Sequence, residues 1–252
     1  AVFVLLGSTL GKFSLFRPVQ ASRALTDPAS AQLPGLLGRE LGGSSEAESA
    51  LNAFNALMGR WKVPPVPGQQ APKSARELDE LAARRGMKLT KYNGSLGQLV
   101  RMGYPAMLEF NLPGVTGKRY LALTGMQEGK FMVAPAFAGR DSLSSAELES
   151  FWSGAAWLPW KNFLGISPLA APGTKGTGAS SLQQLLKDAR VYKGGVTGII
   201  DRETVAAVRG FQAAHGIVPD GKAGAQTLLL LYRAGGKFPL PALAGQGGSD
   251  RQ

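Results

Sequence analysis

One histidine and no cysteine limit what this chain of 252 residues can do chemically. His215, in the stretch AAHGI, is the single imidazole, and a helix end there makes it a surface cap. A catalytic zinc usually takes two or three histidines, so a conventional zinc site is not expected. Without cysteine there is no thiolate nucleophile, no thiolate metal ligand and no disulfide. No S-x-x-K pair occurs either. Asp79 and Glu80 are adjacent, so their side chains diverge on a helix and read as solvated surface. No catalytic residue, metal or cofactor is expected.

Charge points instead to binding. Lys and Arg number 28 against 17 Asp and Glu, a formal charge of +11. That excess suits a polyanion such as nucleic acid, acidic headgroups or a carboxylate-bearing wall polymer. The basic residues are scattered and no helix-turn-helix or aromatic RNA-binding motif is present, so nucleic acid is disfavoured.

The elements that must position such residues fall into two blocks. Hydrophobic residues make up 44% of the chain, enough for a sizeable core, while 34 Gly and 16 Pro mark loops and linkers. The opening AVFVLLGSTLGKF lacks an initiator Met and reads as a processed or excised piece. Its apolar run stops at Lys12, short of the roughly 20 residues of a spanning helix. The preferred reading of residues 1–44 is a membrane-helix remnant and extended lead-in, with an ordinary buried strand as the other.

Ser45 with Glu48 makes a capping box before SEAESALNAFNALMGRW, where Leu51, Phe54, Leu57 and Met58 recur at helical spacing. SARELDELAARRG and SLGQLVRMG predict two more helices. PAMLEFNL, KRYLALTGM, GKFMVAPA and AAWLPW then read as strands, with a capped helix in SSAELESFWSG between the last two. This predicts an α+β domain over 45–164, helices first and an antiparallel sheet after. Residues 165–180 read as a linker, 181–236 as a small three-helix bundle, and 237–252 as a flexible tail.

The bundle repeats itself. Gly198 stands six residues before Thr204, and Gly221 six before Thr227. Each unit is a glycine turn followed by a helix, and the repetition is explained if the two units pack together. The order LQ-x-x-L, G-x-x-D-x-x-T-x-x-A-V-x-x-F-Q, D-G-x-x-G-x-x-T-x-x-L resembles the peptidoglycan-binding domain of bacterial cell-wall proteins. The residues that carry it run from Leu182, Gln183 and Leu185 through Gly198, Asp201, Thr204 and Phe211 to Gly221, Gly224, Thr227 and Leu230. Most are turn glycines, helix starts or core. The resemblance therefore assigns wall contact to polar neighbours: Arg202, Arg209, Gln212, Asp220 and Lys222. The arginines suit stem-peptide carboxylates through charge-assisted hydrogen bonds.

The first block is similar to papain-like cysteine peptidases that process bacteriocin leaders. By that likeness the nucleophile falls near Ser49 or Ala50, the histidine at Arg119, and the aspartate at Ala134, before Pro135. A triad needs an activated nucleophile, a base and an orienting group. A Ser49 nucleophile would lack a base, because Arg119 stays protonated. The resemblance thus implies a peptidase scaffold without peptidase activity.

In this order the two blocks, over about 45–234, resemble the periplasmic region of general secretion pathway protein A. That likeness implies a periplasmic protein tethered to the inner membrane through an upstream helix. It further implies wall binding, secretin assembly, and a partner membrane protein of type II secretion; self-association is left open. A wall-modifying hydrolase or transpeptidase is the alternative.

Overall fold

A computed structural model describes residues 38–137, 139–167 and 172–243, and the expectations for residues 1–37 lie outside them. In the first domain, α1 (Glu46–Arg60) follows a stretch that is helical over 38–42. Ser45 Oγ accepts the Glu48 N–H at 3.1 Å while Glu48 Oε2 accepts the Ser45 N–H at 2.8 Å, so the capping box forms as spaced. Its apolar stripe, Leu51, Phe54, Leu57 and Met58, is buried against the sheet. α2 (Ala75–Ala83) and α3 (Leu96–Met102) are capped by Ser74 and Ser95, each accepting a backbone N–H three residues on.

The sheet is six-stranded and antiparallel, in the order β1-β6-β2-β3-β4-β5. Its strands are β1 (Lys88–Asn93), β2 (Ala106–Phe110), β3 (Arg119–Gln127), β4 (Lys130–Phe137), β5 (Arg140–Leu143) and β6 (Trp152–Trp160). β2 and the first half of β3 are buried on both faces, which is why they read as unbroken apolar runs. β1 and β5 are edge strands that the sequence pattern does not predict. β1, KLTKYN, fully buries only Tyr92, so it carries no apolar alternation and forms because β6 offers it a hydrogen-bonding edge.

The helix expected over SSAELESFWSG is shorter. α4 (Ser145–Glu149) spans five residues and carries a capping box between Ser144 and Glu147. Its intended continuation is the start of β6, where Trp152 Nε1 donates to the Ala155 carbonyl at 2.6 Å. Pairing with β2 outweighs local helix preference there.

The second domain packs α5 (Thr177–Asp188), α6 (Arg202–Ala214) and α7 (Ala225–Gly235) into a bundle. It starts earlier than the expected linker end. Lys175 bridges Ile199, the Gly176 N–H donates to Gly198 O at 3.0 Å, and α5 begins at Thr177. The supposed tail also holds structure up to Leu243. Phe238 stacks on Phe163 at 4.7 Å and meets Tyr232 edge-on at 4.8 Å. The Leu243 N–H donates to Gly103 O, and Leu243 O accepts the Met126 N–H, so residues 237–243 strap the bundle to the sheet domain.

The domains share one continuous apolar core. Tyr104 donates to Leu229 O at 2.8 Å, and Arg233 donates to Gly103 O at 2.8 Å and Pro241 O at 3.0 Å. The Arg233 guanidinium lies 4.2 Å from the Tyr104 ring centroid, and this desolvated cation–π contact adds to both hydrogen bonds. Among the described residues, no helix is long and apolar enough to cross a membrane.

Candidate functional site

The repeated sequence frame becomes two copies of one hydrogen-bond lock. Gln183, in α5, donates to Thr197 Oγ1 at 3.0 Å, Ile199 O at 2.9 Å and Thr204 Oγ1 at 3.1 Å. Its carbonyl accepts the Gly198 N–H at 2.9 Å. Gln212, in α6, donates to Asp220 Oδ1 at 2.8 Å, Lys222 O at 2.9 Å and Thr227 Oγ1 at 3.0 Å. Its carbonyl accepts the Gly221 N–H at 2.8 Å. The partners correspond as 197 to 220, 198 to 221, 199 to 222 and 204 to 227, a constant step of 23. Each lock ties one helix to the following turn and to the first turn of the next helix.

The turn glycines are required by geometry. Gly198 and Gly221 have φ of 71° and 77°, left-handed values that L side chains rarely adopt. A Cβ on Gly198 would meet Ser180 Oγ at 2.9 Å, and one on Gly221 would meet Val205 Cγ1 at 2.8 Å. The turns are therefore fixed in shape from both sides, by backbone and by buried amide.

This geometry sorts the five residues expected to touch the wall. Gln212 is 2% exposed and its amide is saturated by the second lock, so it shapes the site and does not meet a ligand. Asp220 is exposed, but its Oδ1 already accepts Gln212 Nε2 and the Lys222 N–H, both at 2.8 Å. Arg202, Arg209 and Lys222 are exposed, and their side chains make no hydrogen bond or ion pair among the described residues. Arg202 and Arg209 lie seven residues apart on α6, two turns along one face. The Arg209 side chain folds over the second turn, with Nε 3.0 Å from where a Gly221 Cβ would sit, so it stands beside Lys222. The turns thus present three cations on a rigid frame.

Sequence reasoning missed the apolar part of this surface. Val196 and Ile199 on the first turn and Val218 on the second are exposed, Val218 at 77%. The signal available was three β-branched residues inside glycine-rich turns, where composition favours polar ones.

Two turn carboxylates are tuned by the same bonds. The Thr204 hydroxyl, then the Thr204 N–H, holds the Asp201 carboxyl below its ordinary value of 3.8. Partial burial pushes Asp220 up, but the Lys222 N–H, the Gln212 amide and the Lys222 charge outweigh it and leave it lowered. A carboxyl with a depressed folded value stabilises the fold above its unfolded value and loses that contribution as pH falls through the folded one. The thermal midpoint of the bundle helices, followed by circular dichroism, should therefore drop between about pH 5 and pH 2. The D201N/D220N double variant should show a flatter profile over that range.

The sheet domain has its own small cavity of about 40 Å³, lined by Glu46, Ala50, Lys73, Met107, Tyr120 and Trp157 among others. Of Ser49, Ala50, Arg119 and Ala134, only Ala50 lines it. Ser49 is 2% exposed and its hydroxyl donates to Glu46 O at 2.9 Å. Arg119 turns away, donating to the carbonyls of Leu41 at 2.9 Å, Thr116 at 3.1 Å and Lys118 at 2.8 Å. Ala134 is paired with Ala122 inside the sheet. The neighbouring Tyr120 faces the cavity, where burial first, then the charges of Glu109 and Glu46, push its hydroxyl up. It stays a neutral phenol at physiological pH.

The turn geometry coincides with a family match. Residues 175–231 match the putative peptidoglycan binding domain. The peptidoglycan-binding domain so matched runs from the bridge at Lys175 into α7 and contains both locks. Among solved structures, the chain is similar to the periplasmic domain of the EpsAB fusion protein of the Vibrio vulnificus type II secretion system. That similarity has 20% identity and TM-score 0.43, covering 75% of this chain and 81% of that one. The N-terminal peptidase C39-like domain of the toxin secretion ATP-binding protein from Vibrio parahaemolyticus matches with 15% identity and TM-score 0.36, over 48% of this chain and 100% of that one. The peptidase domain of Streptococcus ComA matches with 12% identity and TM-score 0.39, over 48% of this chain and 96% of that one. No curated protein matches the chain.

Proposed function

We propose that the protein is a non-catalytic peptidoglycan-binding module that grips the cell wall through the turn face of its C-terminal domain. The supporting observation is that the matched domain, 175–231, builds two rigid turns and displays Arg202 and Arg209 on the helix between them and Lys222 on the second turn. Stem-peptide carboxylates pair with arginine forks by short, charge-assisted hydrogen bonds. Glycan rings supply the apolar faces that Val196 and Ile199 can cover.

The sheet domain acts here as a scaffold. The buried Ser49 hydroxyl bonds its own helix, Arg119 holds backbone carbonyls, and the cavity's phenol is neutral. None of these three is placed to activate a nucleophile. The sequence resemblance over 45–234 to the periplasmic region of general secretion pathway protein A supports the wider reading. In it, the module sits in the periplasm, held to the inner membrane by an upstream helix. It works with a membrane partner while a secretin assembles through the wall.

Incubation of the full chain with purified sacculi tests the enzymatic side directly. The protein should sediment with the sacculi and release no soluble wall fragments over hours. Fragment release above a buffer control would replace the scaffold reading with a wall-modifying enzyme.

A further inference from the structure

The bundle and the sheet domain do not close completely against each other. Between them lies a cleft of about 640 Å³, walled by Asn93, Gln98 and Arg101 on one side and His215, Ile217, Val218 and Gln226 on the other. That volume is within the roughly 300–1,000 Å³ of small-ligand sites. Gln98 Nε2 donates to Gly216 O at 3.2 Å and pins its two walls together at one point.

The lining is chemically one-sided. Among the described residues that line it, Arg101 is the one full cation and there is no carboxylate. The side chains of Asn93, Arg101 and Gln226 make no hydrogen bond or ion pair among the described residues. The Nδ1 of His215 lies 2.8 Å from Phe211 O, so that nitrogen is committed and Nε2 is the ring's available one. On the same wall as His215 and Gln226, facing Asn93 and Arg101, stand the half-buried Ile217 and the exposed Val218. Free amides, an unpaired guanidinium and a small apolar lip together suit a short peptide that carries a carboxylate and small apolar side chains.

We infer that this interdomain cleft binds the stem peptide of peptidoglycan, with a stem carboxylate on Arg101 and its methyl groups against Ile217 and Val218. The inference rests on the wall-binding reading and deepens it. The docked sheet domain supplies half of a second subsite, so the strap at 237–243 and the Arg233–Tyr104 contact hold a binding site in shape. Asn93 and Gln226 pair with peptide N–H and C=O groups. The turn face around Arg202 and Arg209 and this cleft engage the same polymer at two points, which raises avidity without new contacts at either.

Soluble muropeptides with free stem carboxylates, released from sacculi by a muramidase, are titrated into the full chain by calorimetry. Sacculus sedimentation is measured in parallel. Wild type and the surface control Arg76→Ala should bind the muropeptide alike. Arg101→Glu should weaken binding at least about tenfold, as should amidation of the stem carboxylates. Because the chain has no cysteine, a bulky maleimide on Val218→Cys labels one site, and it should block muropeptide binding while the protein stays folded by circular dichroism. Unchanged muropeptide affinity in both Arg101→Glu and the labelled Val218→Cys overturns the cleft assignment and leaves the wall reading standing. So does sedimentation with sacculi without muropeptide binding. Wild type that neither sediments nor binds muropeptide overturns both.

Discussion

Gln212→Ala should lower the stability of the folded chain by about 2–4 kcal/mol, with Gln183→Ala close to it. Each amide side chain is almost fully enclosed, and each makes four hydrogen bonds to a turn and to the next helix, with a fifth from Gln183 to the Tyr192 hydroxyl at 3.4 Å. Removing it leaves the glycine N–H without its partner and strips one hydrogen bond each from the threonine hydroxyl and the turn carbonyl, in a space too small for full hydration. Buried groups orphaned in this way cost roughly 1–3 kcal/mol each before relaxation. In a cooperative unit of this size that corresponds to a fall of roughly 5–15 °C in Tm. Gln212→Glu separates the lock from simple packing, because a carboxylate keeps the shape but cannot donate to Thr227 Oγ1 or Lys222 O. It should be at least as destabilising as alanine. A midpoint unchanged by both substitutions would mean that the turns are held by their backbone alone.

Local signals made half of this architecture legible. The cap expected at Ser45 forms, and Ser74, Ser95 and Ser144 likewise stand before a helix and accept the N–H three residues on. The apolar runs of β2 and β3 announce buried strands for the same reason: their pattern is set by burial alone. β1 has no such pattern, because its edge position is decided by β6, some 60 residues away in sequence. The interdomain contacts are equally invisible. Tyr104, Arg233 and Phe238 look like isolated residues until the fold brings them together.

Gln212 is buried in the second lock and not on the surface where its position in the sequence suggests it. A glutamine on a turn-flanking helix reads as a surface hydrogen-bonder, and only the constant step between the two locks reveals it as the internal partner of Gly221 and Thr227. Gln183, its counterpart, belongs to the motif through the same role. The motif therefore describes how the turns are built. The wall contact we propose uses exposed side chains outside that motif, among them Arg202, Arg209 and Lys222.

Arg202 and Arg209 should accordingly dominate wall binding. They lie on one exposed face of α6, Arg209 beside the Lys222 turn, and neither is tied to a carboxylate among the described residues. Charge reversal at both positions turns two attractive contacts into repulsive ones, while the locks beneath are untouched. The loss should be large, about a hundredfold in affinity, and should exceed what simple removal of charge produces. Folding should be unchanged, because both side chains are exposed.

The most direct test is quantitative sedimentation of the full chain with purified sacculi at low and moderate salt, wild type beside R202E/R209E. The account predicts saturable binding by wild type, competed by soluble wall fragments, and loss of that binding in the folded double variant. Equal sedimentation of the two proteins, or a wild type that stays in the supernatant at low salt, would contradict it.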